Sequence, residues 1–130
     1  MIPRDHPSFV EGIALREQHQ WKLAAAAFER VLVDEPANAL ACFWLAVSLD
    51  NRGEEAAAIP NYRRALTSGL EGEHRARAWL WLASSLSKTG ATVAEVREAL
   101  DAAETEGGYA PRDQHERIRV SIERRLARLR

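Results

Sequence analysis

The sequence predicts an all-α fold of stacked helical hairpins, and three observations carry that prediction. Ala, Leu, Arg and Glu, all good helix formers, lead the composition while β-branched residues are sparse. Gly, Pro and N-capping residues divide the chain into seven stretches with helical apolar spacing. The second helical pair also repeats the first at a shift of 34 residues, a period that means stacked hairpins.

The elements follow in order. The first helix starts after Pro7-Ser8 and ends near Gln18-His19-Gln20, with Phe9, Ile13 and Arg16 on one side and Gly12 and Leu15 on another. The second runs from Trp21 to about Asp34, and Pro36 stops it because a residue before proline avoids the α region. Asn38 is a good N-cap for the third, which runs to Arg52 and leaves through Gly53. The fourth covers Glu54 to Ser68 and holds Pro60 beyond its first turn, where a kink or local irregularity is expected. The fifth spans Glu73 to Thr89 and stops at Gly90, and Thr92-Val93-Ala94-Glu95 opens the sixth as a capping box. Gly107-Gly108 closes the sixth, Pro111 stands near the start of the seventh, and Ile118, Ile122, Leu126 and Leu129 give that helix an apolar stripe.

The shift of 34 places Gly12 on Ala46, Leu15 on Leu49, Ala24 on Ala58 and Phe28 on Tyr62. A small residue on the first helix of a pair lets the second cross closely, and an aromatic on the second fills the gap beyond. The second copy reads Cys42-x-x-Leu45-Ala46-x-x-Leu49, Gly53, Ala58-x-x-x-Tyr62 and Ala65-Leu66; the third reads Trp79-x-x-Leu82-Ala83-x-x-Leu86 and Gly90, then Val96-x-x-x-Leu100-x-x-Ala103. This pattern resembles the tetratricopeptide repeat family. Glu11, Cys42 and Leu70 depart from it, and the 37-residue interval from Gly53 to Gly90 holds a longer connection between hairpins. The resemblance covers about residues 5–107 and implies a right-handed superhelical stack with repeats at about 5–38, 39–72 and 76–107; the length allows one domain over 1–130, and the apolar flanks of the hairpins call for a capping helix at about 111–130.

Bulk properties narrow the function. A net charge of −1 and a pI near 6.4 give no whole-molecule attraction to nucleic acid. No apolar stretch reaches the roughly 20 residues that span a bilayer, and Met1-Ile2-Pro3-Arg4-Asp5 leads into no secretory segment. A cytoplasmic chain with no nucleic-acid or membrane partner is the expectation. Phosphate loops, HExxH, paired cysteines and Gly-x-Ser-x-Gly are absent. His6, His19, His74 and His115 are scattered, and Cys42 faces a partner helix as a small hydrophobe. No enzyme activity, metal or cofactor is expected.

A partner is expected because the third and fifth helices carry more apolar surface than one hairpin uses. With Cys42, Leu45, Ala46 and Leu49 assigned inside, Leu40, Phe43, Trp44 and Val47 remain. The same subtraction on the fifth helix leaves Leu80 and Trp81, with Arg77 one turn back. In the family the first helix of each pair lines a concave groove, so the resemblance places Phe9, Ile13, Phe43, Trp44, Val47, Leu80 and Trp81 there, with Arg16, Arg77 and Lys88 at its periphery. Some relatives grip a peptide's terminal carboxylate with polar residues on this face; these stretches are mainly apolar, and no such clamp is expected. The functional expectation is a scaffold or adaptor that holds another protein or peptide, its identity unknown, in an apolar groove. The alternative is a self-associating unit, a homo-oligomer whose groove or ends take its own chain or another copy. The last helix carries a local charge of about +4, leaving about −5 elsewhere, and is expected to be a solvated cap.

Overall fold

The computed structural model describes residues 6–106 and 112–129. Seven helices and no strand occur among them: α1 Pro7–Glu17, α2 Trp21–Asp34, α3 Ala39–Asn51, α4 Glu55–Thr67, α5 Gly72–Lys88, α6 Val93–Thr105 and α7 Arg112–Arg128. Each expected helix is present with its ends within two residues of the reading wherever the chain is described. Gly107-Gly108 and Pro111, read as the punctuation between the last two helices, lie outside the described residues. The chain divides into two compact units, Met1–Gly69 and Leu70–Arg130, and the break falls in the longer connection between the second and third hairpins.

Local chemistry accounts for the helix ends. Asn38 Oδ1 accepts from the Ala41 amide at 3.0 Å and Thr92 Oγ1 from the Glu95 amide at 3.1 Å, each satisfying one orphan donor at a helix start. The three first helices share one exit. After α3 the Glu54 amide donates to the Leu49 carbonyl at 2.9 Å and the Gly53 amide to Asp50 at 3.0 Å, with Gly53 at φ +79°. After α5 the Ala91 amide reaches the Leu86 carbonyl at 3.4 Å, with Gly90 at φ +81°. Both are left-handed Schellman caps. After α1 the same motif forms with His19 at φ +58°, where its ring stacks on Trp21 at 5.4 Å and offsets the strain of a non-glycine cap. A Cβ on Gly53 would meet no atom within 4 Å, so Gly53→Ala tests conformational strain alone. It is expected to destabilise the chain by about 1 kcal/mol in urea unfolding, with Gly53→Asn costing less.

In the first unit, α1 pairs with α2, α2 with α3, and α3 with α4. The repeat positions do the packing expected of them. Gly12, Ala24, Phe28, Ala46, Ala58 and Tyr62 are all buried. The Phe28 ring stands edge-on to Phe9 at 5.6 Å, and a Cβ on Gly12 would lie 2.7 Å from it. The outer corners are tied by His6 to Asp34 at 2.9 Å, by Arg30 to Glu11 at 2.9 Å, and by Arg64 donating to the Pro36 carbonyl at 2.6 Å. α4 runs as one helix through Pro60. The missing amide costs a single bond to the Ala56 carbonyl on the exposed face, so the irregularity read there does not break the helix.

The Tyr62 hydroxyl donates to Asp50 Oδ2 at 2.9 Å, joining α4 to α3. Burial pushes the phenol well above its usual value, and the charge of Asp50 and the bond to it add to the shift. The native chain therefore keeps a proton that the unfolded chain releases above the ordinary phenol range near pH 10. This stabilisation is complete below that pH and is lost as pH rises toward the native value. Melting between pH 8 and 11 is expected to show a steeper loss of stability in the parent than in Tyr62→Phe.

In the second unit, α6 and α7 both pack on α5. Ala76, Ala78, Leu80, Leu82, Ala83 and Leu86 of α5 are buried, as are Val96, Ala99, Leu100, Ala102 and Ala103 of α6. α7 contributes Ile122 and Leu126, both fully buried, from the apolar stripe expected of it. Arg97 of α6 pairs with Glu123 of α7 at 2.6 Å, and Glu104 with His115 at 3.1 Å.

Candidate protein-binding surface

Helical spacing puts Ile13 and Arg16 of α1 on the side of the first hairpin from which Arg16 meets α3. The Arg16 guanidinium lies over the Trp44 ring, 4.1 Å from its centroid, a cation–π contact 28 residues apart in sequence. Phe43 stands edge-on to Trp44 at 4.8 Å and tilts toward Tyr62 at 6.4 Å, wedged within the α3–α4 hairpin. Trp44, Leu40, Ile13 and Arg16 are half-buried. In the second unit Arg77 and Trp81 are half-buried as well, and Arg77 pairs with Glu73 one turn back at 2.5 Å.

Four residues read as groove lining are placed differently. Phe43 is fully buried, and Phe9, Val47 and Leu80 are at most 5% exposed. They are core. Counting one partner per first helix leaves Phe43, Val47 and Leu80 over, whereas α3 is packed by both α2 and α4, and α5 by both α6 and α7; Phe9, which the resemblance puts on the groove, is instead held edge-on against Phe28 of α2. A helix that is apolar all round is one surrounded by neighbours. The expectation that Phe9, Phe43, Val47 and Leu80 stand free to meet a partner is corrected accordingly. Arg16, read as peripheral, covers one face of the most prominent aromatic; a contact made across two helices leaves no trace in local spacing.

The family described as Tetratrico peptide repeat matches residues 39–119. The chain belongs to the tetratricopeptide repeat family. The match opens on the first residue of α3, where the second sequence repeat was read, and it ends within α7. Tetratricopeptide repeats generally mediate protein–protein interaction, and the family is typically a non-enzymatic scaffold. No curated protein matches the chain. The helices of this repeat chain carry Gly12 and Phe28 in the first pair and Ala46 and Tyr62 in the second at the positions where the hairpins close, as the family pattern implies.

Among the described residues no group of three His, Cys, Asp or Glu side chains gathers in a metal-binding arrangement. His6 and His115 are each engaged by a carboxylate. Cys42 is buried, and burial pushes its thiol up, against the smaller opposing effect of Arg64. A thiol held protonated in apolar surroundings is a packing residue. No helix of the described chain is long and apolar enough to cross a membrane.

Proposed function

We propose that this tetratricopeptide protein is a non-enzymatic adaptor that holds a partner polypeptide against its first helices. Ile13, Leu40 and the Arg16-covered Trp44 form the contact surface in the first unit, and Arg77 and Trp81 in the second. The observation that carries this reading is the Arg16–Trp44 stack. The guanidinium holds a half-buried aromatic in one rotamer before any partner arrives, which reduces the ordering cost of binding. Tryptophan and arginine are among the side chains enriched at the energetic anchors of protein interfaces. The partner segment best suited to such a surface is an amphipathic helix or an extended peptide with bulky apolar residues. The chain works in the cytoplasm on this reading.

Trp44→Ala with Trp81→Ala is the test. The paired substitution is expected to abolish capture of the partner from a native extract while the helical circular dichroism is retained. Capture at parental levels by the doubly substituted chain would contradict the reading.

Self-association has one observation in its favour. Val10, Leu23 and Val33 on α1 and α2 are 58%, 53% and 81% exposed, apolar side chains that a second copy of the chain would cover. A dimer by light scattering that dissociates with Val33→Glu supports this second reading, and a concentration-independent monomer opposes it.

A further inference from the structure

The charge of α7 is sorted by its packing, and the sorting leaves a site. Arg119 is paired with Glu116, and Glu123 is taken by Arg97 of α6. On the face toward α5 the helix instead presents Arg117, Ser121 and Arg125 at successive i, i+4 positions, and α5 answers with Ser84 and Lys88 at the same spacing. With Gln114 and the apolar Ile118 these side chains line an open cleft of about 400 Å³. Among the described residues no carboxylate lines it. The described carboxylates of the two helices, Glu73, Glu116 and Glu123, are each paired with an arginine, and none of those is Lys88, Arg117 or Arg125. Arg125 Nη1 donates to Ser87 Oγ on α5 at 2.9 Å. That bond fixes its guanidinium at the edge of the cleft with other donors still to place.

We propose that this α5–α7 cleft binds a phosphoryl dianion, either free or as a phosphorylated side chain. Three cations, two hydroxyls and an amide converge on one opening. A carboxylate offers one charge and two oxygens to that set, whereas a phosphate monoester offers a charge near −2 and three strong acceptors. Arginine forks and a lysine point charge are the side chains that recognise phosphate oxygens. Among the described residues no aromatic ring lines the cleft on which a base could stack, so a nucleic-acid strand is the poorer fit. The site lies within the second unit and stands independently of the Trp44 and Trp81 surface.

The test is titration of the ¹⁵N-labelled full chain with inorganic phosphate, with N-acetyl-phosphoserine amide and with acetate, at pH 7.5 and constant ionic strength. Saturable shifts at residues of α5 and α7 are expected with a phosphate ligand and not with acetate. Lys88 and Arg117 are both exposed, so Lys88→Ala with Arg117→Ala is expected to keep the parental melting curve while weakening binding about tenfold or more, from the loss of two charge-assisted contacts. Tighter binding of the phosphoserine amide identifies a partner's side chain as the source; equal or tighter binding of inorganic phosphate identifies a free ligand. Shifts that do not saturate, shifts unchanged by the double substitution, acetate binding as tightly as phosphate, or an oligonucleotide displacing phosphate from the cleft would each overturn the proposal.

Discussion

Phe28→Ala is expected to lower the stability of the chain by about 3–5 kcal/mol, and to reverse the sign of a second substitution at Gly12. Phe28 is fully buried, its ring edge-on to Phe9 and pressed on the backbone of α1 at Gly12. In the parent, Gly12→Ala brings a methyl to 2.7 Å from the Phe28 Cε1 and Cζ atoms. That ring is enclosed and cannot swing away. The steric cost, about 1–3 kcal/mol, exceeds the gain of roughly 1 kcal/mol from replacing a helical glycine by alanine. Once Phe28 is Ala, the space is vacated and only the helix-propensity gain remains. Gly12→Ala is therefore expected to destabilise the parent and to stabilise the Phe28→Ala chain, measured as paired urea midpoints in a double-mutant cycle. Additive effects of the two changes would mean that Gly12 does not owe its size to the aromatic that crosses it.

Ile122→Ala and Leu126→Ala are expected to cost about 2–5 kcal/mol each, more than substitutions anywhere else on α7. Both side chains are fully buried, one turn apart, in the helix that packs on α5. Hairpins of a repeat stack carry apolar flanks that need a cover, and in the second unit α7 supplies it. Arg124→Ala and Arg128→Ala, exposed on the same helix, are expected to change stability by less than about 0.5 kcal/mol. Thermal unfolding followed at 222 nm separates the two groups. Equal small effects at all four positions would show that α7 is an appendage and not a cover.

The elements were readable because their signals are local. Asn38, Thr92, Gly53 and Gly90 each announce a helix end through bonds made within four or five residues. The shift of 34 brought Gly12 to Ala46 and Phe28 to Tyr62, and those pairs occupy matching places in the two hairpins. It also brings His19 onto Gly53, which is why a histidine adopts a glycine's conformation there. The surface was less readable. Phe43, Val47 and Leu80 look surplus when each helix is allowed one neighbour, and only the second neighbour shows them to be core. Arg16 reaches Trp44 across a turn and a whole helix. The basic excess of α7 is plain in composition, but that Arg119 is paired with Glu116 while Glu123 takes Arg97 of α6, and which arginines gather beside Lys88, depends on how α7 rolls against its neighbours. Periodicity does not report that rotation.

The central claim is that the first-helix face of this tetratricopeptide chain holds a partner polypeptide. It is tested most directly by placing a photo-crosslinking side chain at Leu40 on that face and, separately, at Arg63, an exposed position on α4. After irradiation in native extract, a discrete adduct with another polypeptide is expected from position 40 and not from position 63. Equal labelling from both positions, or adducts only with copies of this chain, would contradict the account.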